Sequence, residues 1–201
     1  MTTLPALLSS PDRINLPRVR ALLDGIAPAD QYTVVQTLGR KQQVRLFELA
    51  ATADPVTRDD LLPPSTPAAG AVVHHGWNSL PMFRSWRRFQ KPMARLDGGQ
   101  ELGGYNEGST RWLIGPGYFV CRPSAKEYAE RGAWVVDYLR IPEVVPHAGW
   151  PELKPNESGL QRFVFAGTRD YLRKVTDGVL IGMPFKGDKQ LPFPFLLVRE
   201  R

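Results

Sequence analysis

The chain has 201 residues and a single cysteine, Cys121, which excludes internal disulfides and every multi-cysteine metal motif. Its net charge of +6 favours a mild preference for anions, but no zinc-finger spacing, basic tail or RNA-recognition motif accompanies it, so we expect no specific nucleic-acid partner. The apolar runs are too short for a membrane span and no secretory leader is recognisable, so we expect a cytoplasmic protein.

The first third of the chain predicts helices. Apolar residues recur at helical spacing over residues 16–26, 34–38 and 44–51. A stretch rich in proline and glycine then interrupts regular structure. The pattern predicts a helical segment over residues 1–62, followed by a second segment over residues 71–201.

Most of the second segment has the pattern of antiparallel strands joined by tight turns. Residues 71–77 are strand-like, and three alternating segments follow one another near the C-terminus at 171–175, 179–185 and 193–199. Many short antiparallel strands favour a sheet that closes on itself. We therefore predict an α+β fold in which N-terminal helices precede an antiparallel β-barrel or a strongly curved sheet.

Residues 80–91 predict one amphipathic helix within the β segment. Its large apolar side chains fall on one helical face and its basic side chains on the other. The apolar set is Met82, Phe83, Trp86 and Phe89, and the basic set is Arg84, Arg87, Arg88 and Lys91. We expect the apolar face to pack on the β domain, with Trp86 buried. Two alternatives are a lid over the barrel, in which Arg84 or Arg88 holds an anion, and a weak membrane-surface contact.

The C-terminal run at 170–182, followed by Phe-Leu-Leu-Val-Arg at 195–199, resembles the closing strands of bacterial lipocalin-like barrels of unknown function. That group includes proteins named for a Gly-x-Trp-x-Gly segment. Here His75 and Ser79 stand where the two glycines would flank Trp77, so no family ligand residue transfers to this chain. Segments similar to those of an uncharacterised bacterial family lie at 74–83, 104–106 and 115–119. The resemblance implies a lipocalin-like barrel and no particular activity.

A barrel of about eight strands encloses one small ligand. The leading hypothesis is therefore that the protein binds a small, largely apolar molecule, neutral or anionic, inside the barrel. Aromatic and basic side chains at or near strands would supply stacking area, hydroxyl groups and positive charge, although core packing is the simpler role for each aromatic one. The candidate ligand-binding residues are Trp77, Arg84, Tyr105, Trp112, Tyr118, Tyr138 and Arg173.

The alternative function is a cofactor-independent enzyme, an isomerase, cyclase or hydrolase, that uses a cavity histidine and a carboxylate. His75 and Asp137 are the candidate catalytic residues, because histidine titrates near neutral pH and a buried carboxylate can have a raised pKa. His74 and His75 are adjacent on a strand and point to opposite faces, so they do not share a metal. We expect no metal and no cofactor, and the sequence leaves the oligomeric state open.

Overall fold

Short helices form the N-terminal part of the chain, as the sequence predicts. The structure is a computed structural model that describes residues 3–10, 15–81, 83–96 and 99–200. Helix α2 begins after Asn15, whose side-chain oxygen accepts a hydrogen bond from the backbone N–H of Arg18 at 3.0 Å. A proline stands in the first turn of α1, α2 and α3, where a backbone N–H has no helical partner. The helices are α1 (Leu4–Leu8), α2 (Leu16–Asp24), α3 (Pro28–Val35), α4 (Arg40–Leu49) and α5 (Arg58–Leu61).

In the described part of the chain nine antiparallel strands follow, and eight of them close into a barrel. Each of the first seven strands pairs with the next, and the last strand pairs with both the seventh and the first. The short eighth strand pairs with the seventh. The strands are β1 (Ala71–Asn78), β2 (Arg88–Arg95), β3 (Leu102–Gly104), β4 (Phe119–Pro123), β5 (Trp134–Asp137), β6 (Thr168–Thr176), β7 (Val179–Lys186), β8 (Lys189–Gln190) and β9 (Phe195–Arg199). This confirms the predicted α+β fold with an antiparallel barrel.

Successive residues of each strand serve two separate cores. Residues on the outer face of β1, β6, β7 and β9, such as Trp77, Tyr171 and Ile181, pack against the N-terminal helices. Residues on the inner face, such as Cys121 and Val136, fill the barrel. The N-terminal helices are therefore required to cover one apolar side of the barrel, which water would otherwise contact.

One end of the barrel is closed by the segment around α5. Leu61 and Leu62 are fully buried and belong to the same apolar cluster as the inner face of the barrel. The Asp60 carboxylate forms an ion pair with Lys174 Nζ on β6 at 2.8 Å, and the Arg199 guanidinium on β9 donates to the backbone carbonyl of Asp60 at 2.9 Å. These contacts tie the closing segment to two barrel strands.

The predicted amphipathic helix at residues 80–91 is wrong. Residues Arg84–Arg87 form one 3-10 turn, and β2 begins at Arg88. Met82 lies outside the described residues. Trp86, expected to be buried, is 51% exposed, and Phe83 is 76% exposed.

The physical reason is that two periodicities overlap in this segment. Phe83, Trp86 and Phe89 recur every three residues, which is close to one helical turn. Phe89, Lys91 and Met93 recur every two residues, and these are the side chains that β2 turns towards the inside of the barrel. Because Lys91 is charged, its inward position breaks the alternation of apolar and polar residues that would predict a strand.

Candidate functional site

A cavity of about 420 Å³ occupies the open end of the barrel. Its walls are largely apolar, with Phe89 and Phe195 on neighbouring parts of the inner face. Two glycines let these rings lie flat on the adjacent strands. A β-carbon at Gly76 would lie 2.3 Å from the Phe89 ring, and one at Gly182 would lie 2.2 Å from the Phe195 ring. The volume is within the range of roughly 300–1,000 Å³ that is typical of small-molecule sites.

Four polar side chains meet at the buried end of this cavity. Lys91 Nζ donates a 2.7 Å hydrogen bond to Asn106 Oδ1, contacts the Tyr138 hydroxyl and lies 3.6 Å from Asp170 Oδ2. The Tyr138 hydroxyl also donates to Asn106 Oδ1 at 3.2 Å. Lys91, Tyr138 and Asp170 are 2%, 3% and 6% exposed, so the cluster lies almost entirely out of water. We call these four residues the buried polar cluster.

Burial shifts the pKa values of Lys91, Tyr138 and Asp170 in the directions that favour their uncharged forms. Burial lowers the pKa of Lys91, and the nearby Asp170 carboxylate partly opposes this effect. Burial raises the pKa of Asp170, and Lys91 opposes it in turn. The pKa of Tyr138 is well above its ordinary value, first because of burial and second because of the charge of Asp170. The hydroxyl of Tyr138 therefore stays protonated and can donate a hydrogen bond.

Aromatic rings surround the ammonium group of Lys91. Its Nζ lies 5.0 Å from the ring centre of Phe119, and 5.3 Å and 5.5 Å from those of Phe195 and Phe89. Each ring face attracts a cation, and the attraction is stronger where water is excluded. The rings thus help to keep a charged group inside the barrel despite the cost of removing it from water.

The entrance of the cavity is apolar and positively charged. Three segments contribute to it, each through residues that line the cavity: the turn with Trp86, the short helix α6 (Arg111–Ile114) and the turn that ends at Val164. Arg88 also contributes to the lining, but its guanidinium donates to the neutral Gln36 side chain at 3.2 Å. The guanidinium of Arg88 therefore lies on the outer face of β2, on the same side as its strand partner Trp77, and not in the cavity. Arg111 is paired with Glu107 at 2.8 Å.

Of the predicted ligand-binding residues, Tyr138 lines the cavity. Trp77 is on the outer face of β1, where its indole N–H donates to the Leu38 carbonyl at 3.1 Å beneath the helices. Arg173 is also on the outer face and donates to the backbone carbonyls of Phe47 and Glu130. Trp77 and Arg173 therefore attach the helices to the barrel, and their prediction as cavity residues is wrong.

The other four predicted ligand-binding residues also lie outside the cavity lining. Tyr105 and Tyr118 are buried against each other, and Tyr105 also packs on Trp150 of the loop at 142–159. Arg84 and Trp112 are exposed in segments at the entrance, Trp112 by 82%. Tyr105 and Tyr118 lie immediately outside β3 and β4, and the sequence does not specify on which side of the barrel wall such side chains lie.

The predicted catalytic pairing of His75 with Asp137 is wrong. His75 is on the outer face of β1, where its ring packs on Tyr32 of α3 at 5.3 Å. Asp137 is fully buried on the outer face of β5, four strand pairings from β1 in either direction round the barrel. Arg122 and Arg169 bind its carboxylate at 2.7 Å and 3.2 Å. Neither side chain lines the cavity. Asp137 instead links three adjacent strands.

Sequence reasoning missed Lys91, Asn106 and Asp170. The helical pattern at residues 80–91 places Lys91 on a basic face, and nothing in the sequence pattern singles out Asn106 or Asp170. A charged residue at an inward position of an alternating strand would signal Lys91 and Asp170, but this requires knowing where the strand begins. Cys121 is buried as expected for a small apolar residue, and burial raises its pKa.

No model of a known protein family, no curated protein and no solved structure matches this chain. The resemblance to lipocalin-like barrels therefore stays a prediction. Within the described ranges no cluster of three or more His, Cys, Asp or Glu side chains is arranged to hold a metal ion. The helices in that same part of the chain are all too short or too polar to cross a membrane.

Proposed function

We propose that the protein binds a small, largely apolar molecule with an oxygen-bearing end group in the barrel cavity. The observation that carries this proposal is the buried polar cluster at the inner end of an otherwise apolar cavity. A barrel interior filled only by apolar residues would avoid the cost of burying an ion pair, which often exceeds the gain from the pair itself. A function that needs the pair explains why it is present.

The cluster suits a carbonyl or hydroxyl oxygen. Lys91 donates to Asn106 and also faces Tyr138 and Asp170, and the protonated Tyr138 hydroxyl donates to Asn106. A ligand oxygen would therefore accept a hydrogen bond in place of one of these partners, and a ligand hydroxyl would donate to Asp170. Lys91 and Asp170 have opposite charges, so a neutral polar group adds no uncompensated charge at the buried end. The apolar body of the ligand would then lie against Phe89 and Phe195.

An anionic group fits the entrance better than the buried end. A carboxylate beside Asp170 would meet a like charge in a site of low dielectric, which is unfavourable. At the entrance Arg111 lines the cavity, so a ligand carboxylate there would meet a guanidinium group. An elongated molecule with a polar inner end and an anionic outer end would therefore use both regions.

Native mass spectrometry of protein purified from its own host tests for a bound molecule directly. Calorimetric titration then compares medium-chain alcohols, ketones and acids with alkylbenzenes of similar size. We expect the oxygen-bearing compounds to bind about tenfold more tightly, because a hydrogen bond to a charged group contributes roughly 1.5–3 kcal/mol. Equal affinities would contradict a role for the polar cluster, and failure of every compound to bind would contradict the proposal.

Two variants separate binding from folding. In Lys91→Met with Asp170→Leu, both charges are replaced by apolar groups, and the preference for oxygen-bearing ligands should disappear while the fold remains. The control is Lys174→Met, which removes a second inward lysine that pairs with Asp60 at the closed end of the barrel. The control should lose stability and keep the ligand preference.

A second candidate is a cofactor-independent enzyme in which the cluster moves protons. It is favoured by the position of Asp170 beside both Lys91 and Tyr138, which gives a raised-pKa carboxylate two neighbouring donors. Bound compounds incubated in D₂O would gain deuterium at carbon if Asp170 abstracts a proton, and Asp170→Asn would stop this exchange. Recovery of unchanged, unlabelled compound favours binding alone.

A further inference from the structure

The entrance of the barrel carries exposed large apolar side chains in an unusual concentration. Phe83 and Trp86 lie on the first entrance segment, and their rings pack at 5.9 Å. Trp112 on α6 and Phe163 on the third segment are 82% and 72% exposed. Single exposed apolar residues are normal in proteins, but a contiguous patch marks an interaction surface. We call the exposed side chains of these three segments the entrance surface.

The same three segments are basic. They contain Arg84, Arg87, Arg88, Arg111 and Arg162, and they contain no carboxylate of their own. Arg111 is paired with Glu107, whereas Arg84, Arg88 and Arg162 form no ion pair with any carboxylate in the described parts of the chain. Guanidinium groups beside exposed aromatic and aliphatic side chains match the two layers of an anionic membrane surface. The phosphates attract the guanidinium groups, and the acyl boundary accepts the apolar side chains.

We propose that the entrance surface docks on an anionic lipid membrane, with the open end of the barrel facing the bilayer. Its aliphatic members, Leu113, Leu160 and Val164, favour lipid over nucleic acid, because bases stack on aromatic rings and gain little from aliphatic side chains. The position around an apolar cavity favours lipid over a protein partner. A ligand that is sparingly soluble in water could pass from the bilayer into the cavity without crossing water.

Vesicle flotation of the full chain tests the docking. We expect the protein to float with vesicles that contain phosphatidylcholine and phosphatidylglycerol, and to remain unbound with phosphatidylcholine alone. Added salt should weaken the binding, because it screens the guanidinium–phosphate attraction. Failure to bind either vesicle would overturn the proposal.

Trp112→Ala and Arg84→Glu test the two parts of the surface separately. Trp112 is so exposed that its loss should leave the melting temperature unchanged while the partition coefficient falls several-fold. Charge reversal at Arg84 should lower it by roughly five- to tenfold, since each basic residue near an anionic surface contributes on the order of 1 kcal/mol. The matched controls are Val144→Ser, an exposed apolar residue elsewhere, and Lys126→Glu, at the closed end of the barrel. Controls that lose binding equally would overturn the proposal.

Two further measurements exclude other occupants of the surface. Concentration-dependent self-association that Trp112→Ala abolishes, without vesicle binding, would assign the surface to a second copy of the chain. Binding to oligonucleotides in place of vesicles would assign it to nucleic acid. Either result overturns membrane docking. Ligand binding in the cavity is measured without vesicles, so this inference and the proposed function can fail independently.

Discussion

Replacing Lys91 with methionine should destabilise the protein in a strongly pH-dependent manner. Lys91 Nζ lies 3.6 Å from Asp170 Oδ2, and at an effective dielectric constant of about 20 their attraction is about 5 kcal/mol. Without Lys91, the Asp170 carboxylate would be buried beside no cation, and the side chain would respond by taking up a proton. The pKa of Asp170, already raised by burial, would therefore rise further.

The free energy needed to keep Asp170 protonated sets the expected loss of stability in Lys91→Met. The ordinary pKa of Asp170 is 3.8, so holding its carboxyl protonated near pH 7 costs about 4 kcal/mol relative to the unfolded chain. A carboxyl group whose folded pKa lies above its unfolded pKa binds a proton on folding, so the stability it allows is greatest at low pH and is lost as pH rises. As pH is lowered from 7, the loss of unfolding free energy caused by Lys91→Met should therefore shrink by about 1.4 kcal/mol per pH unit. Near pH 5 it should be below about 2 kcal/mol.

Urea unfolding of the wild type and the variants over a series of pH values measures this effect. Adding Asp170→Leu to Lys91→Met should restore most of the lost stability and remove its pH dependence, because an apolar pair avoids the buried charge. A loss that is independent of pH, or a double variant as unstable as the single one, would refute the reasoning. Lys91 would then stabilise the barrel through its packing against the aromatic rings.

Three other substitutions test separate parts of the structure. Gly76→Ala would place a methyl group 2.3 Å from the Phe89 ring and should cost roughly 1–3 kcal/mol in urea unfolding, so unchanged stability would contradict the close approach. Burial lowers the pKa of His74 from 6.5 to about 4, so the unfolded chain binds the proton at a higher pH than the folded protein does. The free energy of unfolding of the wild type should therefore fall by about 3 kcal/mol as pH drops from 6.5 to 4. His74→Leu should make stability less dependent on pH in this range, and a variant with the same pH dependence as the wild type would contradict the prediction. Asp137→Asn should lower the free energy of unfolding by on the order of 2 kcal/mol, less than for a fully buried pair because its arginine partners are partly exposed. The calorimetric affinity for cavity ligands should stay unchanged, and a large change in affinity would mean that Asp137 contributes to ligand binding.

The C-terminal strands were predictable because their information is local. Val179, Ile181 and Met183 alternate with inward residues, and the turn at 176–178 joins β6 to β7 as its Asp-Gly pair predicts. Strand alternation and turn chemistry depend on neighbouring residues alone. The helices at the N-terminus were predictable for the same reason, since their apolar spacing is set within a few turns of the chain.

The candidate site could not be predicted in the same way. Lys91, Asn106, Tyr138 and Asp170 come from distant parts of the chain, and no local pattern relates them. His75 is a comparable case. A strand pattern predicts that His74 and His75 face opposite sides, but it does not say which side becomes the inside of the barrel.

The sequence by itself therefore determined the class of fold: helices first, then antiparallel strands that require closure. Only the tertiary structure decided which face of each strand is internal, that α5 closes one end, and that a lysine and an aspartate meet at the base of a cavity. The physical reason is that periodicity is a property of short segments, whereas inside and outside are defined by closure of the whole barrel. Closure also decided the role of residues 83–91, where the chain satisfies the strand pattern of β2 and leaves Phe83 and Trp86 exposed at the entrance.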